Sequence, residues 1–213
     1  MKILDIYKEY KIMPNLALHQ LRVATVASLI CDSLSVKVDK ENIIKACLLH
    51  DMGNIIKFQL EKFPEWNEPE GTDYWQKIKN DYISKYSKDE HQASLDIAKE
   101  LNVSSHILEL IDSIDSSVAE KISIENDFDK KICAYVDNRV SPEGVVSAEK
   151  HGLDAKERYK NHPHAFTEEN RLFFMKILYS IEEQIFSVSN ITPEYITDES
   201  IQKHLEFVKN FEI

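Results

Sequence analysis

Two histidines and two aspartates occur in the order H…HD…D, and each lies in an otherwise apolar stretch. They are His19 in LALHQL, the pair His50–Asp51 in LLHDMGN, and Asp137 in CAYVDNRV. Considered alone, His19 would be interpreted as a histidine that is hydrogen-bonded within the fold or exposed, and Asp137 as a helix cap or an ion-pair partner. Imidazole with carboxylate suits zinc, iron, manganese, cobalt or nickel, and carboxylate with water suits magnesium. The pattern therefore predicts one divalent ion with His19, His50, Asp51 and Asp137 as its ligands.

The adjacent members of this set pose a geometric problem. Neighbouring side chains of an α-helix point about 100° apart, so His50 and Asp51 could not normally reach one ion. The constraint relaxes where a helix ends, and Gly53 predicts such an end because glycine is a common C-terminal helix cap. We therefore expect the pair to converge on one ion at a helix terminus, with His19 and Asp137 reaching it from two other helices.

Helical periodicity dominates the remaining sequence. Apolar spacing and capping residues predict helices at about 16–35, 39–50, 72–86, 88–101, 106–114, 128–140, 146–160, 168–187 and 192–211. The segment EKFPEWNEPEGT at 61–72 holds two prolines and a glycine and predicts a loop. We predict an all-α fold: one compact bundle of seven to nine helices, with a core at about 12–160 and C-terminal helices in 161–213 packed on it.

Composition limits the class of protein. The 213 residues are 43% hydrophobic, enough for a sizeable core. The net charge of −11 argues against general nucleic-acid binding, although it leaves room for a locally basic pocket. Three cysteines without a CxxC pair predict buried thiols in a reducing compartment. Because neither a signal peptide nor an apolar run of membrane-spanning length is apparent, we predict a cytoplasmic protein that does not contact membranes.

Three stretches together resemble the HD-domain metal-dependent phosphohydrolase superfamily, including its uncharacterised bacterial and archaeal hydrolases. They are LALHQLRVATVASLI, ACLLHDMGN and CAYVDNRVSPEGVVS, and the resemblance spans about residues 12–160. It implies an all-α fold with His19, His50, Asp51 and Asp137 as metal ligands. It also implies hydrolysis of a small phosphorylated substrate, a nucleotide or related metabolite, by metal-activated water that Asp51 orients. A homodimer is an open alternative to a monomer.

One departure from the family pattern concerns the residue after the glycine. Many members have lysine there, in an HD-x-G-K pattern, whereas this chain has Asn54. An asparagine can donate a hydrogen bond to a phosphate but cannot neutralise its charge. Arg22, Lys57 and Arg139 are the candidate replacements, because Arg22 lies one turn after His19 and arginine suits bidentate phosphate contact. The alternative for all three is an ion pair at the surface or within the fold.

A second departure concerns the dinuclear branches of the family, which have two further histidines before the last aspartate. His91 stands in a fitting place for the first, but Asp112 and Asp115 stand where the second would fall. A complete second metal site is therefore doubtful. His91 remains a candidate second-site ligand, general acid or substrate contact. Its neighbour Glu90 is a candidate for assisting the attacking water, as a carboxylate does in the mononuclear branch.

Two other functions stay open. A non-catalytic module that senses a nucleotide would account for asparagine in place of lysine at position 54. A di-iron oxygenase would need a full second set of ligands. Four further histidines in polar surroundings, namely His151, His162, His164 and His204, are predicted to lie at the surface. Trp66, in the 61–72 loop, is predicted to pack, with a lid or a nucleobase contact as the alternative.

Overall fold

The computed structural model describes residues 1–160 and 166–213, and every element named below lies in those ranges. They contain eleven α-helices and one short β-hairpin. The helices are α1 (Ile3–Glu9), α2 (Pro14–Ser33), α3 (Lys40–Leu49), α4 (Thr72–Lys85), α5 (Glu90–Glu100), α6 (Ser105–Asp112), α7 (Ala119–Ile124), α8 (Phe128–Val136), α9 (Ala148–Tyr159), α10 (Glu168–Ser187) and α11 (Asp198–Lys209). The hairpin consists of β1 (Val140–Ser141) and β2 (Gly144–Val145), which pair antiparallel.

The all-α prediction is confirmed, but the eleven helices in the described ranges exceed the predicted seven to nine. The prediction lacked α1, with 7 residues, and α7, with 6. Segments this short hold too few turns for a helical period to show in the sequence. Asp39 and Ser104 accept backbone hydrogen bonds at the starts of α3 and α6 and cap these helices. The predicted 61–72 loop contains a short 3-10 helix at Pro64–Asn67.

Helix α2 lies at the centre of the bundle and packs against α3, α8 and α11. Every residue from Val23 to Ile30 is buried, as expected for a helix surrounded by other helices. Nearer its N-terminus, His19 and Arg22 are only partly buried. The same rigid helix therefore supplies both the core of the bundle and two of the candidate site residues.

The C-terminal helices pack on the earlier ones. Helix α10 contacts α7, α8 and α9, and α11 contacts α2. None of the described helices combines the length and the hydropathy that crossing a membrane requires. Helices α3 and α8 contact each other and α2, and the C-terminal ends of α3 and α8 directly precede the HD pair and Asp137.

Candidate metal centre

The four predicted ligands come together where α2, α3 and α8 meet. Nε2 of His19 lies 2.9 Å from Oδ1 of Asp137 and 3.6 Å from Oδ2 of Asp51. Nε2 of His50 lies 3.4 Å from the same Asp137 oxygen and 3.6 Å from the same Asp51 oxygen. One ligand atom from each of His19, His50 and Asp51 lies within 4.8 Å of the others. The pair His50–Asp51 after α3 thus lies close to His19 on α2 and to Asp137, which directly follows α8.

The orientation of His50 is fixed by its own helix. Its Nδ1 lies 2.8 Å from the carbonyl oxygen of Cys47, which can only accept, so Nδ1 carries a proton and Nε2 is the nitrogen that faces Asp51 and Asp137. His50 is 5% exposed, and this Nε2 has no hydrogen-bond partner among the described residues. An unsatisfied buried polar atom costs about 1–3 kcal/mol. A metal ion would satisfy it, and the second-nitrogen hydrogen bond is the usual support of a metal-binding histidine.

The charges of the cluster also favour a bound cation. Burial lowers the pKa of His50, but the carboxylates of Asp51 and Asp137 outweigh that effect and raise the pKa to about 9. Burial raises the pKa of Asp137, but its contacts with His19 and His50 hold the pKa well below its ordinary value. The cluster therefore favours positive charge at its centre, which a divalent ion would supply. The two imidazoles and the Asp51 carboxylate supply donor atoms that fit such an ion, and Asp137 borders them.

Gly53 does not have the predicted role of a helix cap. Helix α3 ends at Leu49, and the φ angle of Gly53 is −90°, which any residue can adopt. The glycine is needed for another reason: a Cβ at this position would lie 2.4 Å from the carbonyl oxygen of Glu90. The Gly53 N–H also donates to Oγ of Ser94 at 2.9 Å. The turn that follows His50–Asp51 is therefore packed directly against α5.

Two cavities meet at the cluster. The first has a volume of about 310 Å³ and the second of about 710 Å³. His19 lines only the first and His50 only the second, whereas Asp51 and Asp137 line both. The two carboxylates therefore form a wall that the cavities share.

Three of the predicted substrate contacts line these cavities. Arg22 lines the first, and Asn54 and Lys57 line both. Nζ of Lys57 lies 3.8 Å from Oε1 of Glu90. Burial lowers the pKa of Lys57, but neighbouring groups, of which Asp51 has the largest effect, outweigh it and raise the pKa above its ordinary value. Lys57 thus provides a cation one helical turn after Asn54.

The prediction that Arg139 contacts substrate is wrong. Its side chain is buried and lines neither cavity. Nε donates to the carbonyl oxygen of Val146 at 2.6 Å, and Nη2 donates to those of Pro193 at 2.9 Å and Ile196 at 3.3 Å. Asp137–Arg139 forms a 3-10 turn, in which successive side chains point about 120° apart, so Arg139 turns away from Asp137. Its guanidinium instead joins the loop after Asp137 to the C-terminal segment.

The two remaining catalytic candidates begin α5. Glu90 and His91 line the second cavity. Nε2 of His91 lies 3.1 Å from Oδ1 of Asp112, one of the two aspartates that stand where dinuclear members have their second histidine. Within the described residues, the one group of three or more potential ligands close enough for a metal is His19, His50 and Asp51. The catalytic roles of Glu90 and His91 stay predictions.

Sequence reasoning missed His151. It was predicted at the surface, yet it is partly buried on α9 and lines both cavities. Burial lowers its pKa, while the charge of Asp137 acts in the opposite direction. The surroundings of His151 in the sequence are polar, and such a stretch does not reveal which of its sides faces a cavity. The signal that could have found it is its place on the helix that follows Asp137, the last predicted ligand.

The other histidines predicted at the surface divide into two groups. His204 is 8% exposed, and its Nδ1 lies 3.0 Å from Oγ of Ser28 in α2, so that prediction is wrong. His162 and His164 lie outside the described residues. Trp66 stacks on Phe63 with ring centroids 4.3 Å apart and lines the first cavity. It therefore both packs and faces the site.

The model of the HD domain family matches residues 16–126, which is more than half of the chain. The chain belongs to the HD domain family. This membership places it in the metal-dependent phosphohydrolase superfamily that the H…HD…D motif implied. The matched region holds His19, His50 and Asp51 of the HD domain and ends before Asp137. Neither a curated protein nor a solved structure proved significantly similar to the chain.

Proposed function

We propose that this HD domain is an enzyme that hydrolyses a phosphate ester of a nucleotide or a related small metabolite. The observation that carries the proposal is the buried, unpartnered Nε2 of His50, which lies beside the carboxylates of Asp51 and Asp137. His19, His50, Asp51 and Asp137 would hold one divalent ion, with manganese, cobalt, nickel, iron, zinc and magnesium as candidates. When bound, such an ion lowers the pKa of a water and polarises the phosphate.

The side chains of the chain itself then have separate tasks. Asp51 borders both cavities, and its backbone N–H lies 3.3 Å from Oε1 of the buried Gln20, which holds its main chain in place. We assign it the orientation of the attacking water through a hydrogen bond to its carboxylate. Glu90 and His91, on the wall of the second cavity, are the assigned proton acceptor and donor.

Phosphate recognition would come from Arg22, Asn54 and Lys57. Within the described residues the guanidinium of Arg22 has no hydrogen-bond or ion-pair partner, so it is free to bind an anion. Lys57 would neutralise a phosphoryl oxygen and Asn54 would donate a hydrogen bond to another. Positive groups fixed in a partly buried site stabilise the charge that develops on a phosphoryl group during transfer. These two cations support hydrolysis despite asparagine at position 54.

The proposal is tested by a metal-resolved activity screen. Metal-free protein receives each divalent ion in turn and is assayed against phosphomonoesters, phosphodiesters and nucleoside triphosphates. The Asp51→Asn variant should lose turnover by about 1000-fold, which corresponds to about 4 kcal/mol of transition-state stabilisation, while the fold survives. Asp81→Asn, an exposed position on α4 that lines neither cavity, is the matched control.

Three outcomes would contradict the proposal. Full turnover by Asp51→Asn would remove the metal assignment. Nucleotide binding without turnover under any divalent ion would select the sensing module instead. Two irons per chain together with oxygen consumption would select the oxygenase.

A further inference from the structure

We infer that the substrate is a phosphodiester whose phosphorus lies at the metal centre and whose two substituents extend into the two cavities. The inference rests on the proposed function and names the class of ester. A monoester ends in its phosphate, so its site needs one cavity and one closed end. A diester continues on both sides of the phosphorus and needs two open sides.

The cluster has two open sides. His19 faces the first cavity and His50 the second, and the carboxylates between them border both. The side chain of Asp51 is 18% exposed and that of Asp137 is 29% exposed, although His50 is almost fully buried. A phosphate at this wall would therefore have space on the side of each histidine.

The first cavity fits an aromatic or additionally anionic substituent. The charged residues that line this cavity and not the second are all basic, namely Arg22, Lys62 and Arg158. Arg158 is paired with Asp154 at 2.7 Å, which leaves Arg22 and Lys62 as the cations without a carboxylate partner in the described part of the chain. The stacked rings of Phe63 and Trp66 lie on the same wall and offer a flat apolar surface.

The second cavity fits a larger and less charged substituent. It has more than twice the volume of the first, at about 710 Å³ against about 310 Å³. Basic residues that line it alone include Lys156 and Arg171, and both pair with Glu168, at 2.9 and 2.6 Å. The apolar part of the wall is formed by Ile111, Ile114, Phe174 and Met175, beside the oppositely charged Asp115 and Lys160. The two substituents are therefore expected to differ.

The reaction consumes one water. The oxygen of the water forms a new bond to phosphorus, and the bond from phosphorus to the oxygen of one substituent breaks. That oxygen keeps the bonding electron pair and takes up one proton of the water, giving an alcohol. The other substituent leaves as a phosphomonoester, and the second water proton passes to solvent or to the phosphate.

The test uses two probes with the same leaving group. Thymidine 5′-(4-nitrophenyl phosphate) is a diester, and 4-nitrophenyl phosphate is the monoester that lacks the second substituent. Two substitutions fill the cavities: Leu18→Trp in the first and Ser116→Trp in the second. Their controls are Leu4→Trp and Ser117→Trp, because Leu4 is as exposed as Leu18, at 46% against 42%, and neither control position lines a cavity.

The metal-loaded protein should hydrolyse the diester with a kcat/KM at least about 10-fold above that of the monoester. Each cavity-filling variant should lower kcat/KM for the diester by about 10-fold or more, while both controls keep the wild-type value. A monoester preference, or loss of diester turnover from only one of the two fillings, overturns the inference and leaves the proposed function standing. No turnover of either probe with any divalent ion overturns the proposed function and this inference with it.

Discussion

Nδ1 of His50 donates a hydrogen bond to the carbonyl oxygen of Cys47, which lies one helical turn earlier in α3, at 2.8 Å. Because Nδ1 is held by the last turn of α3, the other ring nitrogen, Nε2, points away from the helix and towards Asp51 and Asp137. Because the acceptor is a main-chain atom, the aim of His50 depends on the helix and not on the cysteine side chain. A metal-binding role for His50 has a direct consequence for stability.

We predict that a divalent ion stabilises the wild-type fold through His50. At a metal concentration about 1000 times Kd, binding adds about 4 kcal/mol to the free energy of unfolding. The His50→Gln variant should lose most of the metal-dependent rise in melting temperature. His106→Gln is the control, because His106 is 40% exposed and lines neither cavity. Equal metal-dependent shifts in wild type and His50→Gln would contradict the assignment.

Lys57 should contribute its charge to substrate binding. We predict that Lys57→Gln raises KM for a phosphate substrate by about 10-fold or more, since a charge-assisted hydrogen bond is worth about 1.5–3 kcal/mol. Lys57→Arg should keep most of the affinity. Steady-state kinetics measures both, with Lys45→Gln as control, because Lys45 pairs with Glu41 at 2.7 Å and lines neither cavity. A purely structural lysine would instead leave KM unchanged in Lys57→Gln.

Arg139 should govern stability and leave substrate binding unchanged. Removing its guanidinium leaves the carbonyl oxygens of Val146 and Ile196 without this donor, whereas that of Pro193 keeps the Ile196 N–H at 3.2 Å. We predict that Arg139→Ala lowers the free energy of unfolding by about 3 kcal/mol. Urea unfolding measures this, and KM should not move in the folded fraction. Arg139→Lys should also destabilise, since one ammonium cannot reach all three oxygens. A higher KM with unchanged stability would restore Arg139 to the site.

Stability should fall in mild acid because of His204. Its pKa is lowered by burial, an effect that Lys203 and Lys40 reinforce and Asp32 opposes. Folded His204 therefore stays neutral at a pH where the unfolded chain, with its ordinary value of 6.5, has already taken up a proton. The stabilisation is fully present above that pH and is lost as the pH falls towards the lowered pKa.

The measurement is the free energy of unfolding in urea at pH 7.5 and 5.5. His204→Gln should show a smaller loss between the two conditions than wild type, whereas His106→Gln should match wild type. An identical loss in wild type and His204→Gln would assign the acid sensitivity to other groups.

The predictable part of the candidate site consists of residues that lie on a long helix or directly follow the last residue of a helix. His19 lies on the 20-residue α2, and His50–Asp51 and Asp137 follow the last residues of α3 and α8. A regular helix carries its period in the sequence, so its buried face is predictable, whereas its end is less so: the helix predicted at 128–140 ends at Val136. The structure accordingly brings these four side chains together.

The incorrect predictions concern residues whose roles depend on how their segment packs, which a local sequence pattern does not show. Gly53 is required by the backbone of α5, which lies far along the chain, and not by its own φ angle. Arg139 stands two residues after Asp137, and side chains two residues apart do not share a face of a helical turn. His151 faces the cavities because of how α9 packs, which its polar neighbours in the sequence do not reveal.

The anchoring of Arg139 also determines which segment of the chain a chimera or a fragment would have to include. The family model matches only residues 16–126, so Asp137 lies outside the shared region, and the turn that follows it is tied to carbonyl oxygens at Pro193 and Ile196. A chimera that transplants the shared region alone would leave the fourth proposed ligand behind. A fragment that stops at 160 would keep Asp137 but lose both of those anchors. The segment needed to hold the proposed metal centre therefore extends through residue 196.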